Sequence, residues 1–460
     1  MLGLMIALFF LCICGYAIFK KYKAQTVLLT GGFAMMSVAI LLGMGDILPV
    51  KNSTGSPWFD MFQFVAVLAS KRAAEIGMLI MVVTGFARYM DKIGASRVLV
   101  HICIKPLQAL RSPYIVMALG FIIGQCLHLF IASASGLGVL LMVTMYPILI
   151  SLGISRNGAT AVIGTTSAID LGPSSGNTVL AAKTAGLQTV DYFVTYQLPV
   201  AVVVILAIAV THYFVQRWFD KKHEGGLAAG VPREEEKTDH KSDAEPLRPL
   251  WYVFLPIFPM ILILAFGFFK FRGIHLDIIP CMFVSLFISM VCEALTTRNV
   301  KKVFASIQTF FDGMGSQFAT VITLIVAGET LAQGLTALGA IDTLINVTQS
   351  TGSGKTVMVL VMSGIIAVSC IVMGSGNAPF FAFSAFAPQV AKKLGFDAVN
   401  LLLPMQLTSS LARGISPITA VIVAVCGISG ASPFEVVKRT AIPMAVGLLT
   451  TQIMTYILFG

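Results

Sequence analysis

Apolar runs that suit a membrane interior follow one another along almost the whole chain, near residues 2–19, 26–48, 74–90, 112–132, 137–153, 157–186, 192–216, 250–270, 276–296, 316–336, 356–373, 378–391, 400–428 and 440–459. A helix satisfies its own backbone hydrogen bonds and needs roughly 20 residues to cross about 30 Å of hydrocarbon, so this succession dictates an all-α polytopic membrane protein. With 57% hydrophobic and 11% charged residues in 460, against about 25% charged in soluble domains, a water-soluble globule and a disordered chain are both excluded. The eight cysteines include no CxxC pair and no Cys/His cluster. They read as apolar helix residues, so neither a metal nor a cofactor is called for. The run from Leu2 to Phe19 has no basic stretch before it and no small-residue cleavage site, which reads as an uncleaved first helix.

The net charge of +10 is explained by cytoplasmic enrichment of Lys and Arg, so no nucleic-acid partner is inferred. One hydrophilic stretch, Arg217 to Arg248, holds seven of the 31 basic and eight of the 21 acidic residues and reads as a cytoplasmic linker. It divides the chain into two halves, 1–216 and 249–460. Landmarks recur in order across them: Gly94-Ala95 and Gly339-Ala340, Pro147 and Pro388, Pro173 and Pro417, Leu198-Pro199-Val200 and Ile442-Pro443-Met444. Placing the N-terminus outside brings Lys20, Lys21, Lys23, Lys92, Arg97, Arg298, Lys301, Lys302, Lys438 and Arg439 to the cytoplasm, while Lys355, Lys392 and Lys393 fall outside. An odd number of crossings per half, about five, makes the two repeats inverted in topology, as in many secondary carriers.

Glycine, serine, asparagine and proline interrupt the apolar segments at two places in each half. Ser133-Ala134-Ser135-Gly136 and Gly374-Ser375-Gly376-Asn377 each lie between apolar arms and read as the tips of helical hairpins. Leu171 to Thr178, containing Ser174, Ser175 and Asn177, and Arg413 to Thr419, containing Ser416, each interrupt a segment that otherwise reads as one long helix. Unwound backbone at membrane depth is tolerated only against protein or a water-filled cavity. Free N–H groups at such breaks attract anions, and free carbonyls attract cations. Four breaks meeting near the midplane predict one anion site flanked by cation sites; a kink or a close helix contact is the structural alternative for any one of them.

The hairpin tips followed by Met145-Tyr146-Pro147-Ile148 and Phe386-Ala387-Pro388, the Gly172-to-Asn177 run, Gly374 to Phe380, and the closing Ser432 to Thr440 resemble the DcuC family of bacterial anaerobic C4-dicarboxylate carriers over essentially the whole chain. The plan is more distantly similar to divalent anion/sodium symporters, whose Ser-Asn-Thr tips are not matched here. The resemblance implies a secondary carrier for succinate, fumarate or malate, with succinate efflux or exchange coupled to H+ or Na+. It also implies an elevator mechanism, a homodimer among membrane lipids, and the bacterial inner membrane. Another small organic acid or an amino acid is the alternative substrate.

Asp170, Lys183, Glu329 and Arg413 are ionisable groups inside otherwise apolar stretches, where charge is costly enough to suggest function. Arg413, beside Ser409, Ser410 and Ser416, suits bidentate binding of a carboxylate, or else satisfies carbonyls at the break. Asp170 suits proton coupling, or else neutralises Lys183 or Arg413. Glu329 is a second candidate for cation coupling, with interhelical hydrogen bonding as the other reading. The expected substrate site combines Ser133, Ser135, Gly136, Ser174, Ser175, Asn177, Ser375, Gly376, Asn377, Ser409, Ser410, Arg413, Ser416 and Thr419. A channel lacks its rings of like residues here, and an enzyme lacks a nucleophile–base pair. Gly352 to Thr356 mimics the end of a phosphate-binding loop without its first glycine. Asn52-Ser53-Thr54 fits a glycosylation acceptor that has no meaning in a bacterial inner membrane.

Overall fold

The computed structural model describes residues 2–44, 46–223, 248–269, 271–340, 343 and 354–459. Most of the hydrophilic stretch, residues 224–247, and Gly352 and Ser353 of the loop-like run therefore lie outside the described residues. Among the described residues every regular element is a helix. Eight of these are long and apolar enough to cross a membrane: Ala24–Leu41, Thr189–Lys222, Leu250–Phe268, Ile278–Thr297, Val300–Ala337, Gly354–Met373, Val399–Ser429 and Pro433–Phe459. Shorter apolar helices include Pro113–His128 and Ala134–Thr144.

Two helix pairs pack at backbone contact. Ala24–Leu41 lies on Thr323–Ala337, and Met78–Lys92 lies on Val300–Gln317. Glycine makes this possible, because a Cβ on Gly32 would stand 2.7 Å from the Thr330 carbonyl and one on Gly85 would stand 2.7 Å from the Phe310 carbonyl. Small residues allow such approach in lipid, where the apolar effect between helices is weak. The helices of these pairs contain single π turns, Ala73–Gly77 and Phe318–Ile322, which meet each other. Such turns change the direction in which the following side chains point.

The interrupted segments pack reciprocally. Arg156–Thr165 lies against Ala420–Ser429, and Gly176–Thr184 lies against Val399–Ala412. The hairpin arm Ala134–Thr144 also rests on Ala420–Ser429, while Asn377–Phe383 touches both Gly176–Thr184 and Thr323–Ala337. Their limits differ from the sequence expectation. The first unwound stretch runs from 166 to 175, so it begins five residues before Leu171, and Gly176 to Thr178 already form a helical turn. Likewise Ser133 caps the helix that starts at Ala134, accepting a hydrogen bond from the Gly136 N–H at 3.1 Å. Small polar residues suit a first helical turn, whose N–H groups lack intrahelical partners, as well as they suit a break.

Away from these breaks, a buried ion pair ties Leu198–His223 to Pro433–Phe459. Arg439 Nη1 lies 2.5 Å from Asp220 Oδ1, and the carboxylate also accepts from Ser155 Oγ at 2.6 Å and Tyr114 OH at 3.1 Å. Asp220 and Arg439 are 2% and 3% exposed, so removing one partner strands a buried charge. Arg439→Met is expected to cost about 3–5 kcal/mol, read as a lower thermal midpoint in detergent. The double variant Arg439→Met/Asp220→Leu is expected to recover most of that loss.

Candidate functional site

The four interrupted segments converge on one polar cavity of about 290 Å³. Ala134 and Ser135 come from the first hairpin, and Gly374 to Asn377 from the second. The first broken helix supplies Asp170, Ser174, Ser175, Gly176 and Asn177; the second supplies Arg413, Thr419 and Ala420. Ile80, Thr84 and Gln317, near the two π turns, and Val321, within the second, also line the cavity, as does His128. The two halves touch directly here, since Asn177 Nδ2 lies 3.2 Å from Asn377 Oδ1.

Asp170 is the electrostatic centre of the cavity. Its Oδ1 faces Arg413 Nη2 at 2.9 Å and His128 Nε2 at 3.1 Å, while Oδ2 accepts from Asn177 Nδ2 at 2.7 Å and Ser410 Oγ at 3.4 Å. Arg413 is fixed from a second side by donating to the Ser167 carbonyl at 2.6 Å. The side chains of Asp170 and Arg413 are each 13% exposed, wet enough to meet a solute and buried enough for charge to count. Opposite charges in a partly dry site attract several times more strongly than in bulk water.

Three glutamines hold the unwound backbone in place. Gln125 donates to the Ile169 carbonyl at 2.7 Å and accepts from the Ile169 N–H at 3.2 Å. Gln197 donates to the Asp170 carbonyl at 2.9 Å and accepts from the Gly172 N–H at 3.3 Å. Gln406, whose Oε1 accepts from Tyr192 OH at 2.7 Å, donates to the Asp170 carbonyl at 3.3 Å and to Thr178 Oγ1 at 3.0 Å. Gly172 adopts φ +104, a conformation that glycine reaches without the strain of a side chain. Such side-chain pairing supplies what the missing helix does not, because buried backbone groups need partners. Leucine at position 197 leaves the buried Gly172 N–H without its acceptor and the Asp170 carbonyl with Gln406 as its remaining glutamine donor, at about 1–3 kcal/mol. Gln197→Leu is therefore expected to lower exchange per folded molecule roughly tenfold, at about 1.4 kcal/mol per decade of rate, measured by counterflow in proteoliposomes.

The expected site residues divide into three groups. Ser135, Ser174, Ser175, Asn177, Ser375, Gly376, Asn377, Arg413 and Thr419 line the cavity together with Asp170. Ser133 and Gly136 form the capped turn behind Ser135, and Ser410 reaches Asp170 from the second layer. Ser409 donates to the Gln406 carbonyl at 2.7 Å, and Ser416 is fully buried. Neither lines the cavity. Glu329 is not among the lining residues either: Arg72 clamps its two oxygens at 2.6 and 3.0 Å, joining two helices. Lys183 lines a separate cavity of about 410 Å³ with Glu75, Asp191, His275 and Asp277, so Arg413 and His128, not Lys183, pair with Asp170. Sequence reasoning missed His128 and the three glutamines; their visible signal was polarity in the apolar segments 112–132, 192–216 and 400–428.

The model of the C4-dicarboxylate anaerobic carrier family matches residues 2–460. The chain is 38% identical over 459 residues to a Vibrio cholerae serotype O1 protein named "Probable anaerobic C4-dicarboxylate transporter DcuC", covering 100% of this chain and 98% of that one. It is 36% identical over 442 residues to the anaerobic C4-dicarboxylate transporter DcuC of Escherichia coli K12, covering 95% and 93% of the two chains. Among solved structures, the crystal structure of the Alcanivorax borkumensis YdaH transporter, described as having an unusual topology, aligns with a TM-score of 0.62 over 95% of this chain and 98% of that one. At 12% identity, that likeness speaks to the fold alone. By its match from end to end, this membrane protein belongs to the DcuC family of anaerobic C4-dicarboxylate carriers, a family of transporters and not of enzymes.

Proposed function

We propose that the protein exchanges or exports succinate, fumarate or malate across the bacterial inner membrane by binding the diacid in the cavity between the four breaks. One observation carries this reading above the others: Arg413, held against Asp170 at 2.9 Å, faces a polar cavity built from both halves. In this proposal a substrate carboxylate takes the place of the Asp170 carboxylate on the Arg413 guanidinium, which suits bidentate recognition. The other carboxylate meets the hairpin tips, where Ser135, Ser375 and Asn377 line the cavity. Coupling to a cation, H+ or Na+, runs through Asp170, which is free to change its partner when Arg413 does.

The same reading makes residues 1–216 and 249–460 inverted repeats joined by a cytoplasmic segment at 217–248. The reciprocal packing of the broken helices supports it, as does the matched pair of π turns. Movement is of the elevator type. Hairpins and broken helices carry the charged side chains, and slide against the close-packed pairs Ala24–Leu41 with Thr323–Ala337 and Met78–Lys92 with Val300–Gln317. A homodimer in the lipid bilayer supplies the fixed frame.

Counterflow of labelled succinate against unlabelled succinate, fumarate, malate, citrate and aspartate tests the substrate class, with and without sodium or a pH gradient. Competition by the four-carbon diacids alone is the expected result. Preferential competition by aspartate or citrate would replace the substrate with an amino acid or a larger organic acid.

A further inference from the structure

The donor and acceptor count around His128 points to a proton held at the cavity floor. His128 Nδ1 lies 3.0 Å from the Ile131 carbonyl oxygen, and Nε2 lies 3.1 Å from Asp170 Oδ1. A carbonyl oxygen only accepts, and an ionised carboxylate only accepts. Neutral imidazole carries one N–H, so whichever nitrogen holds it, the other aims a lone pair at an acceptor. Both contacts are satisfied only with one more proton, carried either as imidazolium or as the Asp170 acid. His128 is 6% exposed and lines the cavity.

We infer that His128 and Asp170 share the coupling proton, and that this proton sets the charge Arg413 presents to the dicarboxylate. The inference deepens the dicarboxylate reading above and rests on it. With the proton present, His128, Asp170 and Arg413 together carry one positive charge; without it they are neutral. The dianion therefore binds the protonated cluster more tightly, and by reciprocity substrate raises the affinity for the proton. When substrate leaves, the proton leaves from between Nε2 and Oδ1 to solvent, and the Asp170 carboxylate returns to Arg413. An unpaired guanidinium at this depth is avoided throughout the cycle, as the cost of buried charge requires.

Among the described residues, no other ionisable side chain lines this cavity. On the neighbouring elements, Cys370 sits behind Gly376 with its Sγ 3.9 Å from that carbonyl. His212, on Leu198–His223, is turned to Thr165 Oγ1 at 3.0 Å, and Asp220 on the same helix is held by Arg439, Ser155 and Tyr114. Arg156, on Arg156–Thr165, stands near Gly430, where a Cβ would lie 3.5 Å from its Nη1. The exchangeable proton therefore belongs to the His128–Asp170 contact.

The test is succinate affinity of the purified full-length protein by calorimetry between pH 6 and pH 8, with proton uptake read from buffers of different ionisation enthalpy. In the wild type, affinity falls as pH rises, by roughly tenfold per pH unit where one linked proton titrates, and succinate binding takes up protons. Asp170→Asn removes the titrating carboxylate and fixes the cluster charge, so whatever affinity it retains is expected not to change with pH, and succinate binding takes up no proton. His128→Asn removes the second proton holder and gives weaker, pH-independent binding. Wild-type affinity that does not change with pH, with no proton uptake on succinate binding, overturns the shared proton and leaves the dicarboxylate site standing. No succinate binding at any pH overturns the site itself. Because the wild type alone decides both, the result does not depend on either variant folding.

Discussion

Arg413→Ala is expected to reduce dicarboxylate exchange in proteoliposomes by about 100-fold or more, since truncating one side of a buried charge pair removes about 2–5 kcal/mol of binding. Two costs are mixed in that number. The guanidinium is lost to the substrate, and Asp170 is left without the donor that lies 2.9 Å away. The double variant Arg413→Ala/Asp170→Asn separates them, because it removes the stranded carboxylate. Its thermal midpoint is expected to return toward the wild-type value while exchange stays lost. Arg413→Lys keeps the charge but not the planar fork that reaches both the Ser167 carbonyl and Asp170. Roughly a tenfold loss is expected for it. Exchange by a well-folded Arg413→Ala protein at the wild-type rate would remove this residue from substrate recognition.

Asp170→Asn is expected to divide exchange from coupling. An amide has the size of the acid, and its oxygen can still accept from Arg413 Nη2, which lies 2.9 Å from Asp170 Oδ1. Counterflow, which needs no net movement of protons, is expected to persist within about threefold, a change of less than 1 kcal/mol. Accumulation of succinate driven by an imposed pH gradient is expected to vanish, because the variant carries the same charge with and without substrate. Full gradient-driven accumulation by Asp170→Asn would place the coupling ion elsewhere.

The residues that stood out in the sequence did so by contrast with their surroundings. Asp170 and Arg413 were visible as charges in apolar segments, and the breaks were visible because Gly, Ser, Asn and Pro seldom cluster inside a spanning helix. His128 and the glutamines did not stand out, since they carry no fixed charge and gain meaning only through contacts with residues distant along the chain. Arg72 was missed for another reason. The apolar run begins at residue 74, yet the Pro57–Arg72 helix continues through the π turn Ala73–Gly77 into Met78–Lys92 and carries Arg72 to Glu329. The reading of Glu329 as an interhelical partner follows from that contact, which sequence segmentation had cut. Helix boundaries were off by a few residues because a small polar run serves equally as an N-terminal first turn and as unwound chain.

Protection of single cysteines tests most directly whether the cavity between the four breaks is where the substrate sits. Ser135→Cys and Ser375→Cys, each in a background without the eight native cysteines, place a thiol on either hairpin tip at the cavity wall. Lys183→Cys places one in the separate cavity. Succinate at saturating concentration is expected to slow maleimide labelling of the two tip cysteines several-fold and to leave the Lys183→Cys protein unaffected. Equal labelling of both tip cysteines with and without succinate, in variants that still carry out succinate counterflow, would contradict the account.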